Sequence, residues 1–474
     1  MKPWPRFALL TASLLPLSAC ALWTDFKLPQ AEMPKDWKGQ EAAKPDAKSV
    51  WPDVEWWKAF HSDALTAQIE QASKENFDIK AAVARVREAD AQLRINGAAL
   101  LPSINASGAA SRDRSAGTTR AHVANSYNAK LNASYELDFW GKNYAAEESA
   151  RQLAQASRYD QETVALTASS SVADNYFDIL ATQERLQVAR DNLKSVEELL
   201  DAIRKRFAAG IVTALDVAQE ENLVATQKAA IPPLELHLQQ DMDAQGILLG
   251  KLPENVYIKA AKLSDIAIPE ITAGIPSELL QRRPDVQNAE AQLASAHADI
   301  INARAQFFPS IGLTAQGGYE SAALAQLFKP ESLLWSLGSS LAQPIFEGGQ
   351  LSGQLELRKA RYDELLQDYR KSALSAFSDV EDALASLRHN DEEEKAQAAT
   401  VDTARKAYAL TQQQFTGGVV DITTVLNTQR ALFSAQDALV QARLAHLQAI
   451  VGLYKALGGG WKIEGTVAPS VLPG

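Results

Sequence analysis

Residues able to do chemistry are few in this chain, and their spacing argues against catalysis. Cys20 is the only cysteine. A disulfide within one chain is therefore excluded, as is a thiol nucleophile deep in the fold. The six histidines are scattered and lack metal-ligand spacing. His389 precedes the acid run Asn390-Asp391-Glu392-Glu393-Glu394. Such a run attracts cations, but it reads first as a solvated helix face. Glu220-Glu221 reads the same way. No nucleophile elbow or phosphate-cradling loop occurs: Gly348-Gly349 and Gly417-Gly418 mark turns and lack a fingerprint around them. These residues imply no catalytic group, no metal and no cofactor. The formal charge is −11, without a basic cluster, so nucleic acid is excluded as a partner.

Cys20 gains meaning from what precedes it. Lys2 and Arg6 supply a short positive region, and Phe7 to Leu17 is largely apolar. Residues 1–19 therefore read as a secretory signal peptide, too short to span a bilayer as a helix. Leu17-Ser18-Ala19-Cys20 resembles a bacterial lipobox, which implies lipidation at Cys20. The following Ala21, in place of Asp, implies sorting to the outer membrane. Residues 20–59, with Pro29, Pro34 and Pro45 among many charges, read as a lipid-anchored tether. Residues 461–474 read as an irregular tail. No later segment has 18 consecutive apolar residues, so any membrane crossing must be a closed β-barrel.

The rest of the chain is duplicated. Leu100-Leu101-Pro102-Ser103-Ile104 recurs as Phe307-Phe308-Pro309-Ser310-Ile311. Asp78-Ile79 recurs at the same offset as Asp285-Val286. Phe207-Ala208-Ala209-Gly210 recurs as Phe415-Thr416-Gly417-Gly418, one residue further apart. Ordered matches at a near-constant offset define two copies, 60–262 and 263–460. Each copy contains strands, over about 102–112 and 126–138 in the first and 309–320 and 333–345 in the second. Tyr127, Ala129, Leu131, Ala133, Tyr135 and Leu137 alternate with Asn128, Lys130, Asn132, Ser134 and Glu136. Strands of this length and two-faced character suit a tilted barrel wall; a soluble sandwich is the rival. Four strands cannot enclose a channel, so several chains must share one barrel. Trp140 and Trp335 lie near strand ends, where they fit an aromatic girdle or a core position.

The helices are long. Gly141 to Phe207 and Gln350 to Phe415 are free of proline and rich in helix formers. Each would span on the order of 100 Å. The shorter stretches 64–100 and 213–249, at about 55 Å each, would stack end to end beside the first rod. Stretches 284–307 and 420–457 would do the same beside the second. Leu186, Ala189, Leu193, Val196, Leu200, Ile203 and Phe207 form a coiled-coil-like seam, repeated by Val401, Ala404, Tyr408, Thr411 and Phe415. Gly210 and Gly418 stand where each rod must reverse.

These features together resemble the TolC-like outer-membrane factors, in the lipoprotein branch of NodT-type and OprM-type efflux proteins. The resemblance rests on Cys20, on Trp56-Trp57 with Phe60, Asp63 and Leu65, and on the paired Leu-Pro-Ser and Phe-Pro-Ser motifs. It also rests on Tyr135-Glu136-Leu137-Asp138-Phe139-Trp140-Gly141 and on Arg206-Phe207, Gly210 and Leu215-Asp216-Val217. It covers nearly all of the chain beyond the signal. It implies a mainly α fold with a membrane β-barrel: a homotrimer with twelve strands in the barrel and a long periplasmic α-helical barrel. It implies an efflux channel that docks a periplasmic adaptor protein and an inner-membrane pump, commonly of the resistance–nodulation–division type. A secretion duct of the type I kind and a tethered structural lipoprotein are the alternatives. Carried over by position, the gate that closes the tunnel would involve Thr423, Asn427 and Arg430. Thr423 and Asn427 depart from the family's usual large apolar residue and Asp, while Arg430 matches.

Overall fold

The computed structural model describes residues 24–28, 37, 51–115, 122–259, 261–269 and 276–461. Cys20, the signal segment, most of the tether and the tail beyond Trp461 lie outside the described residues. Eight α-helices and four strands are formed among them. In the first copy these are α1 (Asp63–Glu75), α2 (Phe77–Gly97), β1 (Ser103–Ser115), β2 (His122–Leu137), α3 (Lys142–Ala208) and α4 (Ala214–Leu248). In the second they are α5 (Pro276–Arg282), α6 (Pro284–Ala305), β3 (Ser310–Ser321), β4 (Leu333–Ala342), α7 (Gln350–Thr416) and α8 (Ile422–Ala456). The duplication is quantitative. α3 and α7 each have 67 residues; α4 and α8 each have 35.

One expected helix is broken, and a second, which starts at Pro284 as expected, is preceded by an additional short one. The 64–100 stretch is interrupted at Asn76, whose Oδ1 accepts from the Asp78 and Ile79 amides and so caps α2. Its Nδ2 donates to the Leu248 carbonyl. Before α6, Pro284 forces a break after Arg283, and a seven-residue helix precedes it. β4 ends at Ala342 rather than at 345 because Pro344 has no amide for the ladder. Within α4 the chain continues through Pro232 and Pro233, which removes two intrahelical donors.

The chain divides into two compact units. One comprises mainly Ala91–Gln152 and Ala294–Glu364. It holds a four-stranded antiparallel sheet in the order β1-β2-β3-β4, with β2–β3 pairing joining the copies. Registers such as Asn105↔Asn132, Asn132↔Gln316 and Gln316↔Ser336 put amides and hydroxyls in one row across the sheet. Lys130 Nζ meets Glu320 Oε2 at 2.7 Å on that same face. The opposite face carries Ile104, Leu131, Leu313, Trp335, Leu337 and Leu341, all exposed, with Trp335 and Leu337 at 75%. β1 and β4 are edge strands, each paired along one side only. Trp335 therefore sits on an uncovered apolar face. Trp140 instead stacks on Phe308 at 4.8 Å and donates to the Pro309 carbonyl at 2.8 Å, which fixes the strand-to-helix corner.

The other unit contains the main core. Trp56, Phe60, Leu65, Ile69, Phe177, Leu180, Leu447 and Ile450 pack together, with Trp56 stacked on Tyr454 at 5.1 Å. The Trp56-Trp57 motif is thus an anchor for packing. The acid run is also not a plain solvated face. Glu394 accepts from Arg443 Nη1 and pairs with buried His446 Nδ1, both at 2.6 Å, tying α7 to α8.

Leu337→Arg is expected to destabilise the inserted sheet by roughly 2–4 kcal/mol at bilayer mid-depth. Ser336→Arg, on the other face, should be tolerated. Heat-modifiable migration of outer-membrane fractions reads the difference, and equal loss in both variants would reject the assignment of faces.

Candidate functional site

The region that combines the sequence-derived candidates is where α3 reverses into α4 and α7 into α8, within the second unit. Both reversals use one device. Gly210 and Gly418 adopt φ of 75° and 73°. Their amides donate to Phe207 and Phe415 carbonyls, and the next amides, of Ile211 and Val419, reach back to Arg206 and Gln414 at 2.9 Å. This is the glycine-capped helix stop that satisfies orphan carbonyls. The helices that follow are capped with mirrored chemistry. Thr213 and Asp216 form a capping box at the start of α4. At α8 it is Asp421 that accepts from the Thr424 amide and hydroxyl; these two hydrogen bonds hold its carboxyl below the ordinary range. The Arg206 guanidinium lies 4.5 Å from the Phe415 ring centroid and links the two turns. Around them Ile211, Leu215 and Val419 are exposed.

Beneath the turns lies a second core. Val196, Leu200 and Ile203 of α3 meet Leu223 and Val224 of α4 and Ile422, Val425, Leu426 and Phe433 of α8, with Tyr408 and Phe415 of α7 against them. Of the expected seam, Leu193, Val196, Leu200, Ile203, Tyr408 and Phe415 lie here; Leu186, Ala189, Val401 and Thr411 are also buried, and Phe207 is half exposed. Thr423, Asn427 and Arg430 occupy one exposed face of α8, opposite the buried Ile422, Val425, Leu426 and Gln429. The expected spacing therefore brings the three onto one strip.

Glu220 corrects the sequence reading. It is 0% exposed, and neither carboxylate oxygen has a hydrogen-bond partner. Burial raises its pKa to about 7, against the attraction of Arg430. Glu221, beside it, is exposed and pairs with Arg204 at 2.6 Å. Gln429 is also 0% exposed, with both amide atoms unpartnered. The signal for Glu220 was present: Val217, Glu220 and Val224 follow the seam spacing of three and four. Residue type concealed it.

Among the described residues of this unit, none compose a reaction centre. Among the described residues no group of His, Cys, Asp and Glu is placed to hold a metal ion, and no helix is long and apolar enough to cross a membrane. Paired helical rods, duplicated reversals and a two-faced sheet with bare edges describe a wall component of a conduit. Comparison with known proteins agrees. The family model described as outer membrane efflux protein matches residues 68–245 and 275–459. The chain is 41% identical over 440 residues to the pyoverdine export outer membrane protein OpmQ of Pseudomonas aeruginosa, covering 91% of this chain and 92% of that protein. It is 33% identical over 452 residues to the toluene efflux pump outer membrane protein TtgC of Pseudomonas putida, covering 94% and 93%. Among solved structures, the Campylobacter jejuni CmeC outer membrane channel superposes with a TM-score of 0.87 at 25% identity, over 94% of this chain and 97% of that one. The outer-membrane channel OprN gives 0.86 at 26% identity, over 93% and 100%. The chain belongs to the outer membrane efflux protein family. It is the outer-membrane channel component of an efflux pump, a transport protein and not an enzyme.

Gly210→Ala and Gly418→Ala each put a side chain into open space, so only the left-handed backbone is penalised, by about 1–2 kcal/mol. Amide exchange at Ile211 and Val419 should accelerate about tenfold or more in the matching variant. Unchanged exchange would show that the turns do not depend on glycine.

Proposed function

We propose that three copies of this chain close a twelve-stranded barrel and continue as a helical tunnel that receives substrate from a periplasmic adaptor and an inner-membrane pump of the resistance–nodulation–division type. The observation that carries this reading is the sheet with two unpaired edges and an uncovered apolar face. Edge strands left open in hydrocarbon would each expose a row of backbone polar groups, so β1 of one copy must pair with β4 of the next. The amide and hydroxyl face then lines the bore. The units of duplication are 60–262 and 263–460, and the signal, tether and tail are 1–19, 20–59 and 461–474.

Cys20 carries the lipid that holds the tether at the outer membrane. Thr423, Asn427 and Arg430 form the gate at the periplasmic end, and Gly210 and Gly418 mark its tip. Support for the gate is the shared exposed strip of α8 directly after the second reversal. The relatives export pyoverdine and toluene. By that likeness the substrates are small organic molecules, passed along a bore lined by Asn132, Gln316, Ser336 and their neighbours.

Arg430→Ala is expected to raise conductance several-fold for the purified full-length protein in planar bilayers, because a ring of large cationic side chains is removed. Identical current–voltage curves would remove Arg430 from the gate. Cys20→Ala should abolish incorporation of labelled palmitate while leaving the heat-modifiable assembly intact; retained label would place the lipid elsewhere.

A further inference from the structure

Glu220 lies in the core beneath the tip, where its burial has no evident structural return. A carboxyl with no partner costs free energy in any protonation state, and far more when ionised. Leucine would fill the same seam position of α4 without that cost. The neighbours are specific. From α8, Arg430 is the charge that acts on Glu220. From α7, Tyr408 feels Glu220, and burial first and then that carboxyl raise its phenol above the ordinary value. It therefore stays neutral below pH 10. From α3, Val196, Leu200 and Ile203 present apolar groups. On α4 itself, Asp216 is engaged by Thr213 and Glu221 by Arg204. Gln429, fully buried on α8 with its amide unpartnered, is a second polar group stranded in the same core.

We infer that Glu220 is a positioning residue of the gate: protonated while the α4–α8 seam is packed, it releases its proton when the seam parts and then holds Arg430 in the parted arrangement. This rests on the channel reading above. It adds to that reading a group that acts through the gate residue and never touches the bore in the packed state. Opening thus exchanges an orphaned acid in an apolar core for a hydrated carboxylate beside a guanidinium. One proton leaves per subunit, to water, and no other group needs to change its charge.

The sign follows from the raised value. Well below the ordinary glutamate value of 4.5, which Arg430 pulls down further in the parted arrangement, the acid is neutral in both arrangements and pH has no effect. Between 4.5 and about 7 the parted arrangement is ionised and the packed one is not, so parting becomes easier by about tenfold per pH unit. Above about 7 both are ionised and the effect levels off. Acid therefore holds the tip closed.

The test uses the purified full-length protein and two readouts at pH 5, 6, 7 and 8. Hydrogen-exchange mass spectrometry follows residues 214–224 and 422–433, with rates corrected for intrinsic pH dependence. Bilayer recordings follow the open fraction. The wild-type protein should lose protection in both segments by close to tenfold per unit from pH 5 to 7 and then level off, and its open fraction should rise over the same window. Glu220→Gln, isosteric and neutral, should show a flat profile held at the acid-side value. A flat wild-type profile, or an equal slope in Glu220→Gln, overturns the inference. If the variant fails to fold, the wild-type exchange slope still decides. An exchange slope that is lost in Glu220→Gln, together with bilayers that stay silent at every pH, would support the proton-linked seam and remove the channel reading. Steady pH-independent conductance with flat exchange would do the reverse.

Discussion

The structure depends on the rule that a backbone amide or carbonyl in hydrocarbon must find a partner on protein. Four strands in each chain satisfy this internally at three junctions and leave two edges bare. That shortfall makes the single chain incomplete. It also explains the alternation along β2 and β3, where the residues of one face are mostly apolar and those of the other are mostly amides, hydroxyls, charges or glycine. The Lys130–Glu320 pair lies on the polar face, where each ion has the other as its partner. The corner fixed by Trp140 on Phe308 and Pro309 then converts a strand direction into a helix direction, at the junction that both copies share.

From that corner onward the problem changes from pairing edges to keeping very long helices in register. The solution is repeated: in each copy a rod of 67 residues reverses into one of 35. Salt links such as Arg185–Asp437 at 2.6 Å and the Arg443–Glu394–His446 cluster tie neighbouring rods along their length. Exposed pairs of this kind contribute little individually. The cluster around Glu394 is better shielded, and its geometry fixes register between α7 and α8 more than it adds stability.

Much of this was legible in the residues. The long rods began and ended where glycine and helix-former composition placed them, because Gly141, Gly210 and Gly418 are backbone punctuation with a direct physical meaning. The strand faces were legible for the same reason: period two is hard to counterfeit. The break at Asn76 was not, since a capping side chain inside an unbroken polar pattern looks like any other helix residue. The start of α6 at Pro284 was legible, whereas the seven-residue helix before it is too short to declare itself. Glu220 and Glu394 were misjudged because residue type was allowed to outweigh position. A glutamate at a seam position is buried by its neighbours, whatever its solubility. The three residues of the proposed gate were brought to one exposed face as their spacing required.

The two hairpins match in length but not in stiffness. Pro232 and Pro233 leave the Lys228 and Ala229 carbonyls without their usual helical donors, whereas α8 contains no proline from Ile422 to Ala456. Flexural load applied at the tip would therefore concentrate in the middle of α4, well away from the capped reversal. Within each chain the hairpin of α3 and α4 would bend before that of α7 and α8.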